Sequence, residues 1–167
     1  MIWLLLLKVH YGLQHPIYFK NASAGLYRNY KDIEACALIV LDKVIKTPGL
    51  IYQINTLGGK INSPQFQQAS AYAHRHLPFL SELQAYWDEP KEEKNRVEAF
   101  EEIQKHFFEN DVKAHYTNYP DLNFRNWREA YYGNNYERLL AVKKSMILKT
   151  ELNTSKVLTF KSGICLT

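Results

Sequence analysis

Seven apolar residues on one helical face constrain this chain more than any other feature of it. From Asp32 onward, Ile33, Cys36, Ala37, Val40, Leu41, Val44 and Ile45 fall at i, i+3, i+4, i+7, i+8, i+11 and i+12, the spacing of one continuous stripe on an α-helix. A stripe of that kind has to be buried against another element. Asp32 reads as its N-cap and Pro48-Gly49 as its stop. Residues 50–57 follow at once, a β-branched and aromatic run closed by Gly58-Gly59, and predict a strand. Cys36 lies on the buried stripe and reads as a core residue.

Residues 79–87 predict a second strand, with Phe79, Ser81, Leu83, Ala85 and Trp87 on one face and Leu80, Glu82, Gln84 and Tyr86 on the other. Asp88 and Glu89 precede Pro90, which suits a first helical turn. Val97, Phe100, Ile103, Phe107 and Phe108 then supply an apolar stripe, with the intervening acids on a solvated face. Residues 114–119 read as a short extended segment. Two further helical stretches follow: Asn123 caps the first, around Trp127, and Tyr131-Tyr132-Gly133 interrupts it. Asn134 and Glu137 have capping-box spacing for the second. This order of helix, strand, strand and helix argues for an α+β fold, an antiparallel sheet with helices packed on one face.

The chain has 167 residues, enough for one domain or a piece of a larger one, and 46% of them are apolar, which excludes a disordered polypeptide. A net charge of +4, with lysines interleaved among acids, does not point to nucleic acid. The N-terminal run from Ile2 to Leu7 is far shorter than the roughly 20 residues of a membrane span and lacks the flanks of a secretory signal, so it reads as a core strand. No membrane partner is expected. Two cysteines exclude a disulfide framework and favour a reducing, cytoplasmic setting over secretion, with the compartment otherwise open. Twelve tyrosines suit interfaces and the walls of polar-ligand pockets.

The common catalytic signatures, a phosphate-binding loop, a dinucleotide fingerprint or a nucleophile elbow, do not occur. His74 and His76 lie two apart with no evident third ligand, so no metal is expected. His74-Arg75 reads as a structural anchor for a loop.

Five segments in order carry a family likeness: Gln53-Ile54-Asn55-Thr56-Leu57-Gly58-Gly59-Lys60-Ile61, Ala71-Tyr72-Ala73-His74-Arg75, Gln84-Ala85-Tyr86-Trp87, Tyr116-Thr117-Asn118-Tyr119-Pro120-Asp121-Leu122, and residues 127–143 around Tyr131-Tyr132-Gly133-Asn134-Asn135-Tyr136. Together they resemble the C-terminal part of the berberine-bridge-enzyme-like FAD-linked oxidases. Residues 20–52 look like the lead-in to the same substrate domain.

The resemblance implies a fragment of a two-domain flavoprotein. In such enzymes an FAD-binding domain is paired with a substrate domain whose antiparallel sheet covers the isoalloxazine ring. The flavin removes a hydride from a carbon bearing an alcohol or amine, and O2 usually reoxidises it. It further implies Tyr116 as a base near the flavin, Glu82 as a second catalytic group, and Asn118 and Tyr119 on the cofactor side. The implied partners are a small-molecule substrate, sugar-like or a secondary metabolite, and an FAD-binding domain that this chain lacks. Covalent flavin attachment uses residues of that domain, so neither Cys36 nor Cys165 is offered as a tether. A non-catalytic binding module that has lost the flavin, and a decayed gene product, are the alternative readings. A domain shaped to pack on a partner should also expose an apolar face, with Tyr116 and neighbouring aromatics on or near it.

The likeness holds over 1–144 and breaks beyond it. After Val142-Lys143-Lys144 the family continues with a Tyr-Asp-Pro-x-Asn turn and then Gln-Ser-Ile, where this chain reads Ser145-Met146-Ile147-Leu148-Lys149-Thr150. Read one base earlier, codons for those residues permit Tyr-Asp-Pro-Glu-Asn, and codons for 154–158 permit Gln-Ser-Ile. Residues 145–167 are therefore expected to be encoded out of register and loosely packed.

Overall fold

The computed structural model describes residues 17–67, 69–121 and 124–150. Strands β1 (Tyr18–Tyr27), β2 (Leu50–Thr56) and β3 (Phe79–Trp87) form one antiparallel sheet in the order β1-β3-β2. Helix α1 (Tyr30–Lys46) joins β1 to β2, and α2 (Glu93–Glu109) follows β3. Two further helices, α3 (Trp127–Tyr132) and α4 (Tyr136–Thr150), end the described chain. The architecture is the α+β arrangement read from the sequence.

Helices α1 and α2 cover the same face of the sheet. Ile33, Cys36 and Val40 from α1 and Ala99, Phe100, Ile103 and Phe107 from α2 bury themselves against Ala22, Ala24, Leu50, Leu83, Ala85 and Trp87. Each large side chain removed from water here contributes about 1.5–3 kcal/mol. The alternation read in 79–87 holds: Leu83, Ala85 and Trp87 face the helices, while Leu80, Glu82, Gln84 and Tyr86 line the opposite side.

Several local readings need correction. Asn29, not Asp32, caps α1; Asp32 is its third residue and completes a reciprocal capping box with Asn29. The α1 stripe is wider than the surface available to it. With β2 at the edge of a three-stranded sheet, Leu41 and Ile45 stay 46% and 81% exposed. On α2 only Phe107 of the adjacent phenylalanines reaches the core, because consecutive residues lie about 100° apart around a helix, and Phe108 is exposed. Pro90 opens a short 3₁₀ turn, Pro90–Glu92, ahead of α2. Asn126, without a side-chain cap bond, precedes α3, and Asn134 sits inside a 3₁₀ turn, Gly133–Asn135, instead of capping α4. Asn123 and the N-terminal apolar run lie outside the described residues.

Strand β1 was not legible in the sequence, and it matters most for the site. Its register against β3 slips between Ser23 and Gly25, a bulge of the kind that re-aims a strand. Gly25 takes a φ of +125°, and a Cβ there would collide with the Val112 side chain and the Tyr27 ring. Only glycine fits.

Helix α4 continues without interruption past Lys144 to Thr150, and Val142, Lys144, Ser145 and Met146 are exposed on it. The expectation of an out-of-register segment over 145–167 falls largely outside the described residues.

Candidate functional site

The sheet face turned away from α1 and α2 forms the floor of a cavity of about 870 Å³. Phe19 and Asn21 of β1, Glu82, Gln84 and Tyr86 of β3, and Gln53 and Asn55 of β2 contribute the floor. One wall is the segment Tyr116–Tyr119, and another carries Tyr72 and Arg75. All four residues singled out from the sequence, Glu82, Tyr116, Asn118 and Tyr119, are brought together here.

The wall containing Tyr116 is a turn, not the strand expected of residues 114–119. The Tyr119 N–H donates to the Tyr116 carbonyl at 3.1 Å, which closes a four-residue turn. Tyr116 and Asn118 nevertheless face the same space, because the Asn118 amide Nδ2 donates to the Tyr116 hydroxyl at 2.9 Å. The Tyr116 hydroxyl is thereby fixed as an acceptor, with its own proton still available to donate. Its ring meets Tyr72 and Tyr119 edge-on, with centroids 6.0 and 5.3 Å away.

The β1 bulge anchors this turn. The Ser23 hydroxyl accepts the Tyr116 N–H at 2.9 Å, the Ser23 N–H donates to the Tyr119 carbonyl at 2.9 Å, and the Leu26 N–H donates to the Ala114 carbonyl at 2.8 Å. His115, next to Tyr116, is buried with Nδ1 3.0 Å from the Ser23 carbonyl and Nε2 3.1 Å from that of Val112. Phe124 packs on its ring at 4.4 Å. His74 reaches the Ala130 carbonyl at 2.7 Å, and the His115 backbone N–H donates to that same oxygen at 2.9 Å. His74 therefore holds α3 against the loop, as its anchor reading required. Arg75 bonds the Ser70 hydroxyl and the carbonyls of Lys60 and Ile61. Among the described residues no cluster of His, Cys, Asp or Glu is placed to hold a metal ion.

Glu82 is buried at the centre of the floor. Asn21 Nδ2 donates to its Oε1 at 3.1 Å, and the Tyr119 phenol lies within reach of the same carboxylate's charge. Burial, reinforced by the Glu82 charge, pushes the Tyr119 phenol up from its ordinary value and does the same to Tyr86. Desolvation raises Tyr72 to about 12. These three phenols hold their protons at neutral pH; the Tyr86 hydroxyl donates to the Gln84 carbonyl oxygen at 3.0 Å, while the Tyr72 hydroxyl is buried with no hydrogen-bond partner. Sequence reading missed Asn21, Gln53, Asn55, Tyr72 and Arg75 as cavity residues. Period-two alternation opposite Glu82 was the available signal for the first three.

The mouth of the cavity carries apolar side chains left open to solvent: Phe19 is 53% exposed and Ile61 44%. Tyr116 beside them is half-buried and Asn118 exposed.

The architecture is a bulged antiparallel sheet with helices behind and a polar, tyrosine-walled cavity in front. Residues 115–146 match the family model described as berberine and berberine like. Over 74 residues, 44% of the chain, it is 32% identical to an uncharacterized FAD-linked oxidoreductase, YgaK, of Bacillus subtilis (strain 168), and it spans 16% of that protein. By fold it is similar to a variant of berberine bridge enzyme (TM-score 0.64, 19% identity, 87% of this chain and 36% of that one). It is likewise similar to CrmK, a flavoenzyme involved in the shunt product recycling mechanism in caerulomycin biosynthesis (TM-score 0.63, 22% identity, 77% and 29%). The chain is thus similar over residues 115–146 to the berberine-like family model and in fold to berberine-bridge-enzyme-like flavoenzymes, and it spans about a third of the length of these solved relatives and a sixth of the curated one.

Proposed function

We propose that the cavity is the substrate site of an FAD-dependent oxidoreductase that oxidises a carbon bearing an alcohol or amine, with O2 as electron acceptor. The observation that carries this reading is the convergence of Glu82, Tyr116, Asn118 and Tyr119 on one cavity whose apolar rim is open.

The residues present fit a flavin ring. A flat, largely apolar ring with polar edge atoms matches a rim of Phe19 and Ile61 beside the Asn118 carboxamide, and it would close the cavity from the open side. For the diphosphate of FAD the described residues offer no comparable cradle: Gly58-Gly59 leads only into a four-residue 3₁₀ turn, Gly59–Asn62. Bound at this rim, the flavin supplies the hydride acceptor.

The chain's own groups bind and move the proton. Once its own proton has left to solvent, Tyr116 takes the proton from the substrate hydroxyl or amine at its phenolic oxygen, to which the Asn118 amide donates. Glu82, held by Asn21, accepts a hydrogen bond from the substrate and fixes the reacting carbon. Tyr119 and Tyr72, both protonated, line the wall and restrict water.

The test is twofold. The purified chain given FAD should release no H2O2 from alcohols or sugars, because the contacts to the rest of the cofactor lie elsewhere in such enzymes. A chimera in which residues 17–146 replace the corresponding region of a solved relative should reduce its flavin with substrate. In that chimera Tyr116→Phe should slow flavin reduction by about 10²–10⁴-fold. Unchanged reduction in the variant would overturn the assignment of Tyr116.

A further inference from the structure

We infer that the outer edge of β2, together with the flank of α1 that overhangs it, is a two-fold interface for a second copy of this chain, whatever the function of the cavity. In an antiparallel ladder only alternate residues of a strand bond to a given neighbour. The Gly49 carbonyl accepts the Tyr86 N–H at 2.8 Å, and the Leu57 N–H donates to the Pro78 carbonyl at 2.6 Å. The odd-numbered residues of β2 therefore bond β3, and Tyr52, Ile54 and Thr56 turn their N–H and C=O groups outward. Among the described residues no strand pairs with that side. Open edges in soluble proteins are ordinarily guarded by a lysine, a proline or a bulge. Residues 50–56 carry no charge and no proline, and they keep one register along β3.

The helix layer is open on the same side. Helix α2 stands over β1, where Lys20 lies 3.7 Å from Glu101, and α1 lies beside α2, joined to it by the Lys43–Glu102 ion pair. Val44 of α1 packs with Leu50 and Tyr52 of β2. At about 100° per residue, Leu38, Leu41 and Ile45 fall on the flank of α1 opposite Lys43, beyond the β2 edge. Leu38 is 80% exposed, Ile45 as much, and Ile54 on the helix side of β2 is exposed with them.

A two-fold axis through Gln53, perpendicular to the sheet, satisfies both surfaces at once. It sets Tyr52 opposite the partner's Ile54 and Leu50 opposite the partner's Thr56, and joins the two sheets into one with all helices on the same side. The same rotation lays Leu38, Leu41 and Ile45 against their own images. Neutrality selects a second copy over another protein. Self-pairing puts no like charges across the strand seam, whereas an edge shaped for a charged partner would carry the opposite charge. The strip is about 25 Å long and two layers deep, small beside the ~800 Å² per partner of a standard interface. The dimer is accordingly weak, in the micromolar range.

Sedimentation velocity of the full chain from about 1 to about 300 μM should pass from monomer to dimer and no further, because a two-fold contact closes on itself. Ile54→Lys and Ile45→Lys should each weaken the dimer at least about tenfold, with circular dichroism confirming that the fold is kept. Phe108→Lys, at an exposed apolar position on α2, should leave it unchanged. In the unaltered chain, exchange of the Tyr52 and Ile54 amides should slow as the concentration rises. Association that all three variants weaken alike, or that runs on past the dimer, is general apolar adhesion and would overturn the proposal. A chain monomeric throughout would overturn it too: amides protected at every concentration would then assign the edge to another segment of the chain, and unprotected amides would leave it open.

Discussion

Ser23 ties the sheet to the cavity wall: its hydroxyl accepts the Tyr116 N–H at 2.9 Å, and its own N–H donates to the Tyr119 carbonyl at 2.9 Å. The bulge that Gly25 permits is what turns Ser23 toward this loop. The wall that carries Tyr116, Asn118 and Tyr119 is thus set by a local irregularity in β1, more than ninety residues away in sequence.

Ser23→Ala should release that wall. Removing the hydroxyl leaves the Tyr116 N–H without its acceptor, at a cost of about 1–3 kcal/mol. Urea denaturation should show the loss, and amide exchange at Tyr116 should speed up more than at core amides of β3. Equal exchange in both proteins would contradict the anchoring role.

Gly25→Ala should be worse. The added Cβ meets the Val112 side chain at a φ of +125°, and strain with overpacking costs about 2–5 kcal/mol. A variant with an unchanged denaturation midpoint would show that the bulge can relax.

Stability should depend on two buried histidines. Desolvation lowers the pKa of His74 from the ordinary 6.5, with His76 adding to it and the Ala130 carbonyl opposing it; desolvation also lowers His115, against the pull of the Val112 and Ser23 carbonyls. The native state therefore binds fewer protons than the unfolded chain below pH 6.5. This contribution is complete above that value and is lost as the pH falls toward the native pKa values, with a slope of at most about 1.4 kcal/mol per pH unit for each histidine. Denaturation midpoints measured from about pH 8 down to about pH 5 should fall over the lower part of that range. A flat profile would contradict the burial of the two rings.

Much of the fold was legible because its signals were local. Strand β3 was bounded correctly by alternation, and the 3.6 period revealed α1, though neither its cap nor the width of its buried face. Strand β1 escaped because Ala22, Ser23, Ala24 and Gly25 are small and carry no hydrophobic alternation; tertiary contact with β3 and the 114–119 segment makes it a strand. The turn at Tyr116–Tyr119 was read as extended because its hydrogen bond to Ser23 joins residues more than ninety positions apart. Asn21 was missed for the same reason, its role being set by Glu82 across the sheet.

Residues 145–167 are proposed to be encoded out of register, an idea motivated by the break in family likeness after Lys144. The coding DNA around Ser145 should spell Tyr-Asp-Pro one base earlier. Any other reading there, or an immediate stop, removes the proposal.

The central claim, that the rim around Tyr116 faces a flavin ring, is tested most directly by titrating the chain with lumiflavin, which has the ring and no diphosphate, and following the backbone and side-chain ¹H–¹⁵N resonances. The account predicts shifts concentrated at Phe19, Ile61, Tyr116, Asn118 and Tyr119, with the outer faces of α1 and α2 unaffected. Shifts centred on those helices, or no shift at the rim, would contradict it.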